Sequence, residues 1–532
     1  MGKNFTLTLC FFQSLAGLLF GWEQSVISGL MLMPDFKERF GTCTDNGTCA
    51  VASQRQSVIT GIFSVGCFIG ALISGALAGK IGLRNANLFS LILFMAGIAI
   101  ETSAQNTYAQ LVVGRVLTGY SVGCLSGLVP TFQAEACPPK WRGVVTGSFQ
   151  GCVTLGIFLA NVVNKGMNTY KGATSWRVPI AIQLAFGLLL FIGFVFSPES
   201  PTYFAKRGET EKCRAAIARL RGTDLDSAET EEFFQNIQVR QQQEAALGDS
   251  TYRECFSPNG RILFRTAIGC IIQIGQQVTG INFFFSYGAQ FFQNAGLSDP
   301  FLVQIILSAV NLAMTFPGMY VMYAVGRRNV MIWGAVVMFI GQIIVGFIGH
   351  FLAGESVAGK VLIAFSCVFI AAFACTWGPV AWVVTGETFP TRLAAKCVTI
   401  ATASNWGMNT IIAFVVPIVT QEDGANLGPM ICWVWAGFIL AIGVFTFFFV
   451  PETKGLSIES IDDLYHARIP AWKSASWNAQ RRAEQDAGAH DESVHAHKLK
   501  NMVDQPVKID HKHLPDSGHA TPLHNLSPTN SI

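Results

Sequence analysis

Charge is what this chain has least of. Asp, Glu, Lys and Arg make up only 13% of its 532 residues, where a soluble globular domain carries about 25%. The net charge of +3 is unremarkable and says nothing of nucleic acid, and no nucleic-acid partner is expected. Signatures of catalysis are missing as well. The sequence holds no G-x-S-x-G elbow, no phosphate-binding loop and no H-E-x-x-H, and an enzyme is not expected. No early small-residue cleavage site interrupts the first apolar run, which starts at Phe5 and continues past Leu30. A cleavable signal peptide is therefore not expected. Histidine is scarce until the tail: seven of nine lie beyond residue 489. Without Cys partners they match disordered-tail composition better than a metal site. No metal and no cofactor are expected.

What is present is apolar. Hydrophobic residues make up 51% of the chain and the mean hydropathy is +0.41, which places it among polytopic membrane proteins. At about 20 residues per crossing, the apolar runs predict twelve spans, centred near Phe20, Phe68, Phe94, Tyr120, Thr154, Leu188, Gly275, Asn311, Phe339, Phe373, Asn405 and Ile442. The expected organisation is a six-helix bundle over 1–198, a cytosolic helical linker over 199–261, a second six-helix bundle over 262–455 and a largely disordered tail over 456–532. Loops after spans 2, 4, 8 and 10 carry Lys80 and Arg84, Lys140 and Arg142, Arg327 and Arg328, and Arg392 and Lys396. Loops after spans 3, 7 and 11 carry no Lys or Arg, although loops 1 and 5 hold three each. The positive-inside bias puts both termini and the linker in the cytosol. Of 14 cysteines, most sit in apolar runs as small hydrophobes. Cys43 and Cys49 instead share a polar loop around the sequon Asn46-Gly47-Thr48. If that loop is extracellular, a disulfide between these two and a glycan on Asn46 are both open to it.

One stretch inside the seventh run is polar on one side. Gln273, Gln276, Gln277 and Gly280 fall at i, i+3, i+4 and i+7, one face of a helix. Amides in hydrocarbon are costly unless they meet water, another polar group or a ligand. A lone buried amide is commonly glue between helices, whereas three stacked on one face point to a lined cavity. Gly280 and Asn282 loosen the helix beyond the stripe, and aromatics follow. Amides beside aromatics suit a neutral polyol, with partners for hydroxyls and flat faces for C–H surfaces.

The chain also repeats itself. Gly82-Leu83-Arg84 returns as Gly326-Arg327-Arg328, the run from Glu135 to Arg142 as that from Glu387 to Arg392, and Pro198-Glu199-Ser200 as Pro451-Glu452-Thr453, at offsets of 244, 252 and 253 residues. Parallel repeats flanking a midplane site are the architecture of one large transporter class.

These residues resemble the sugar porters of the major facilitator superfamily. The resemblance rests on GLLFGWEQSVISG (17–29), GRVLTGYSVG (114–123), PESP (198–201), QQVTGIN (276–282), GRR (326–328), WGPVAWVVTGETFP (377–390) and PETKG (451–455), in order over about residues 7–456. The tryptophans in FGW and WGPVAW are most similar to those of fungal hexose transporters. The fold implied is all-α and integral to the membrane, with twelve helices in two pseudo-symmetric bundles. The implied function is transport of a glucose-like hexose by alternating access, by a monomer in the plasma membrane. The family's sugar-site positions fall on Gln150, Gln276, Gln277, Asn282, Asn311, Trp382 and Asn405. Its cytosolic charge network falls on Arg84, Glu135, Arg142 and Glu199 in one half, and on Arg327, Arg328, Glu387, Arg392 and Glu452 in the other. The chain departs from the pattern at Gly79 and Tyr323, where Asp is usual, at Leu83 and Thr202, where Arg is usual, and at Ser286, where tandem tyrosines are common.

Two charges remain inside the apolar runs. Glu23 lies mid-span and Arg115 at the start of span 4, each costing about 2.5–3.5 kcal/mol at the bilayer centre. Either they pair or they line a cavity. Symporters of the family place an acid and an arginine at these positions, which implies a proton as the coupling ion. Fungal facilitators keep the same two residues without coupling, so a uniporter is the alternative, and a non-transporting sugar sensor a more distant one.

Overall fold

The computed structural model describes residues 2–483 except 44–48, 106, 138–141, 247–250, 295–298, 353–355, 391, 422, 457 and 482. Asn46 lies outside the described residues, as do the tail histidines. Residues 1–478 form one compact unit.

Among the described residues twelve helical stretches carry this unit, and eleven of them are long and apolar enough to cross a membrane. Span 1 runs as Gly2–Ser14 and Ala16–Leu30, followed by span 2 (Ser53–Ile81), span 3 (Leu83–Ser103), span 4 (Tyr108–Ala136), span 5 (Arg142–Met167) and span 6 (Thr174–Phe196). In the second half lie span 7 (Ile262–Gln277 with Ile281–Ser286), span 8 (Pro300–Val325), span 9 (Arg327–Phe351), span 10 (Ser356–Cys375 with Trp377–Thr388), span 11 (Ala394–Thr420) and span 12 (Ile431–Phe449). Every centre predicted from the hydropathy falls inside its span. Between the halves, Pro201–Lys206, Thr210–Arg221 and Ala228–Ala246 are helical, and a short helix, Ile458–His466, follows span 12. One end of the unit carries a two-stranded ribbon, Thr42–Cys43 with Cys49–Ala50, closed by a disulfide between Cys43 and Cys49. The opposite end carries Arg84 and Arg327.

The duplication is visible in geometry. Gly82 and Gly326 both adopt positive φ, 91° and 105°, which a side chain would resist. A Cβ on them would come within 2.3 Å of Glu199 and 2.4 Å of Glu452. Each of those carboxylates accepts from the backbone just after its glycine: Arg84 N–H to Glu199 at 3.0 Å, and Arg327 and Arg328 N–H to Glu452 at 3.0 and 3.2 Å. The guanidinium groups then donate to the ends of spans 6 and 12, Arg84 to Phe194 O at 3.1 Å and Arg328 to Phe447 O at 2.8 Å.

Two spans are broken. Gly280 has φ +85°, and a Cβ there would strike Trp435, so span 7 ends its first piece at Gln277 and restarts at Ile281. In span 10 the backbone turns at Thr376 (φ −128°, ψ −89°), two residues before Gly378-Pro379. Pro379 then sits in the first turn of the new helix, where its missing N–H costs nothing because first-turn amides have no intrahelical partner.

Candidate functional site

The amide stripe of span 7 meets span 11 at Asn405, which is buried with Gln273, Gln276 and Gln277. Asn405 Nδ2 donates to Gln273 Oε1 at 2.8 Å and to Gln276 Oε1 at 2.9 Å, while its Oδ1 accepts from Gln277 Nε2 at 2.7 Å. Asn282 donates to Gln277 Oε1 at 2.5 Å, across the break at Gly280. Gln276 Nε2 reaches the opened backbone of span 10, donating to Gly378 O at 2.8 Å and Trp377 O at 3.2 Å. Gln273 Nε2 donates to Thr385 Oγ1 at 3.1 Å. Five amides from two spans thus form one network at mid-span, anchored to two helix breaks. A connected network of this kind holds its free donors and acceptors in fixed directions, which is what recognition of a ring of hydroxyls requires.

Of the other residues carried over from the family pattern, Asn311 is buried on span 8, while Gln150 on span 5 and Trp382 on span 10 are half-buried. Sequence reasoning passed over Trp406, next to Asn405. Its ring packs 5.1 Å from Phe20 of the other half, and its buried Nε1 has no hydrogen-bond partner among the described residues. A buried orphan donor calls for a partner.

Polar contacts between the halves gather at the disulfide end. Gln24 Nε2 donates to Ser286 Oγ at 2.9 Å, and Ser286 donates back to Gln24 O at 3.3 Å. Ser28 Oγ accepts from Ala289 N–H, Gln56 donates to Gln290 and accepts from Gln421, Asp423 accepts from Ser53 N–H, and Ser64 donates to Asn409. Lys165 pairs with Asp299. Burial alone would push the Asp299 carboxyl up, but hydrogen bonds from Lys165 and Leu302 N–H and the lysine charge hold it below its ordinary value. A cleft of about 150 Å³ at this end is lined by Gln56, Phe283, Tyr287, Gln290 and Gln421, among others. At the opposite end the charged motifs close within their own half. Arg327 pairs with Glu387 at 2.9 Å and Glu387 accepts from Thr453 at 2.6 Å, while Glu135 accepts from Ser200. Arg392, expected in this network, pairs with Glu254 of the connecting segment at 2.7 Å instead. Glu254 is held below its ordinary value by the Thr251 N–H and hydroxyl and by that arginine. The side chain of Arg142 lies outside the described residues.

Glu23 and Arg115 are fully buried and form an ion pair. The second Glu23 oxygen accepts from Gln183 of span 6 at 2.7 Å, and the arginine lies over the Phe63 ring, 4.7 Å from its centroid.

The family model "Sugar (and other) transporter" matches residues 9–465. The chain is 35% identical to the hexose transporter HXT10 of Saccharomyces cerevisiae over 477 residues, 88% of this chain and 87% of that one. It is 35% identical to the high-affinity glucose transporter ght2 of Schizosaccharomyces pombe over 528 residues, 96% of this chain and 98% of that one. Among solved structures it is similar to the E. coli xylose transporter XylE in a partially occluded inward open conformation, with a TM-score of 0.70 and 25% identity over 86% of this chain and all of that one.

Proposed function

This chain belongs to the sugar transporter family, and from that premise we propose that it carries hexoses across the plasma membrane by alternating access, coupled to protons. The observation that carries the sugar assignment is the amide network of Gln273, Gln276, Gln277, Asn282 and Asn405 at the two helix breaks. Hexose hydroxyls exchange bonds with these amides, Gln150 and Asn311 complete the ring of partners, and Trp382 covers the sugar's apolar face. A site built to bond hydroxyls rejects analogues lacking them. The disulfide end is the extracellular one, and both termini face the cytosol. With the halves joined at the disulfide end, the site opens toward the cytosol. In the outward-facing state those joints part and the two arginine motifs brace the opposite end. The carrier works as a monomer.

Coupling rests on Glu23. Glu23 and Arg115 form a buried ion pair, and a cycle that separates them leaves a buried carboxylate without its counter-charge, which a proton neutralises. Radiolabelled hexose uptake in cells lacking their own hexose carriers tests the transport reading: a carrier restores saturable flux, and a sensor restores none. Glu23→Gln tests the coupling. It should abolish uphill accumulation yet spare counterflow exchange, and accumulation that persists would remove the proton role.

A further inference from the structure

Span 3 buries a second carboxylate that the sugar site and the arginine motifs leave unused. Glu101 is 2% exposed, two residues from the end of its helix at Ser103. Helical side chains tilt toward the helix start, so its carboxyl points away from the disulfide end, into the bundle. Span 4 makes room for it: a Cβ at Gly114, the neighbour of Arg115, would come 2.4 Å from Glu101 Cγ. Glu101 lies within electrostatic reach of both Arg115 and Glu23. The packed spans also carry Arg177 of span 6, whose guanidinium donates to Ala104 O at 2.8 Å and lies over Trp176, the Cys67 thiol, Arg55 and Lys80 of span 2, and Tyr108, Tyr120, Cys124 and Glu135 of span 4.

The hydrogen bonds distinguish the two acids. Both Glu23 oxygens accept from strong donors, Arg115 and Gln183. Glu101 instead meets the hydroxyl of Thr118 at 2.9 Å, and that hydroxyl also lies 3.2 Å from each of the carbonyls of Gly114 and Arg115. A hydroxyl has one proton to give. Its shortest contact is to Glu101, which accepts from it at 2.9 Å; when Thr118 turns its proton to its own helix backbone, its oxygen is free to accept and a neutral Glu101 donates in its place. Charge balance points the same way. Two carboxylates beside one guanidinium would leave an uncompensated charge in the membrane interior, which is costly. One proton removes it.

We propose that Glu101 is a second proton-binding carboxylate of this carrier, sharing Arg115 with Glu23, so that the pair holds one proton taken up from the disulfide end. The proposal rests on the proton-coupled reading above and extends it. In the proposed resting arrangement the proton is on Glu101 while Glu23 keeps the ion pair with Arg115. During the cycle Arg115 exchanges partners, Glu101 passes its proton to Glu23, and that proton leaves on the cytosolic side.

Infrared spectroscopy of the full chain in proteoliposomes reads the proton directly. The carbonyl stretch of a protonated carboxylic acid should be present at neutral pH, be lost in Glu101→Gln and be shifted in Thr118→Val. Uptake by Glu101→Gln driven by a pH gradient should fall to the equilibrium ratio. A band unchanged in Glu101→Gln, or one unmoved in Thr118→Val should Glu101→Gln fail to fold, overturns the proposal. A band that behaves as expected in a wild-type protein whose uptake ignores the pH gradient would place the proton on Glu101 and remove symport, so the two readings fail separately.

Discussion

Asn405 offers the sharpest perturbation of the sugar site, because one side chain satisfies three glutamines. Asn405→Leu keeps the branched shape of the side chain and removes all three bonds, at 2.7, 2.8 and 2.9 Å. Interhelical hydrogen bonds in membrane proteins average about 0.6 kcal/mol and reach about 1.7 at most. Three average bonds put the loss near 2 kcal/mol, on the order of twentyfold in affinity. That loss should fall on sugar recognition, since the glutamines freed from Asn405 no longer point where the hydroxyls need them. The assay is zero-trans hexose uptake over a concentration series, with the amount of folded carrier measured alongside. The expected result is a KM raised by about twentyfold. An unchanged KM in a folded Asn405→Leu carrier would refute the view that the network recognises sugar.

Two further outcomes follow from the contacts between halves. Ser286→Ala removes both hydrogen bonds to Gln24, about 1 kcal/mol by the same scale, and should shift the population toward the outward-facing state about fivefold. Labelling of a cysteine placed at Asn294 by a membrane-impermeant maleimide, applied from outside, reads that shift; an unaltered rate would mean Ser286 does not hold the outer end. Asp299 is held below its ordinary value, so its contribution to closure is full above its unfolded pKa and lost only as pH falls through the lower folded value. Asp299→Asn should therefore leave the shape of the uptake profile between about pH 5 and 8 as in wild type, and a changed shape would place a coupling group at the outer end.

Much of this architecture was legible in the residues because the membrane enforces simple rules. Twelve apolar runs gave twelve spans, and the repeated Gly-x-Arg and Pro-Glu motifs became matching turns in which Glu199 and Glu452 cap the glycine corners. The stripe at Gln273, Gln276 and Gln277 showed because three amides on one apolar face are improbable without use. Other features were hidden by distance along the chain. Ser286 looked like a departure inside an aromatic run, and its partner Gln24 lies 262 residues away. Arg392 read as a member of the arginine network because charge in a loop does not name its partner, and Glu254 sits 138 residues before it. Glu101 sits close enough to a span end to pass for an interfacial residue until Gly114 and Thr118 enclose it.

The central claim is tested most directly by hexose uptake into proteoliposomes holding the purified chain, with and without an inward proton gradient. Saturable uptake that rises above the equilibrium level only with the gradient, and collapses when a protonophore is added, is the expected result. Uptake that only equilibrates would leave a hexose carrier without proton coupling. No hexose flux under either condition would contradict the account.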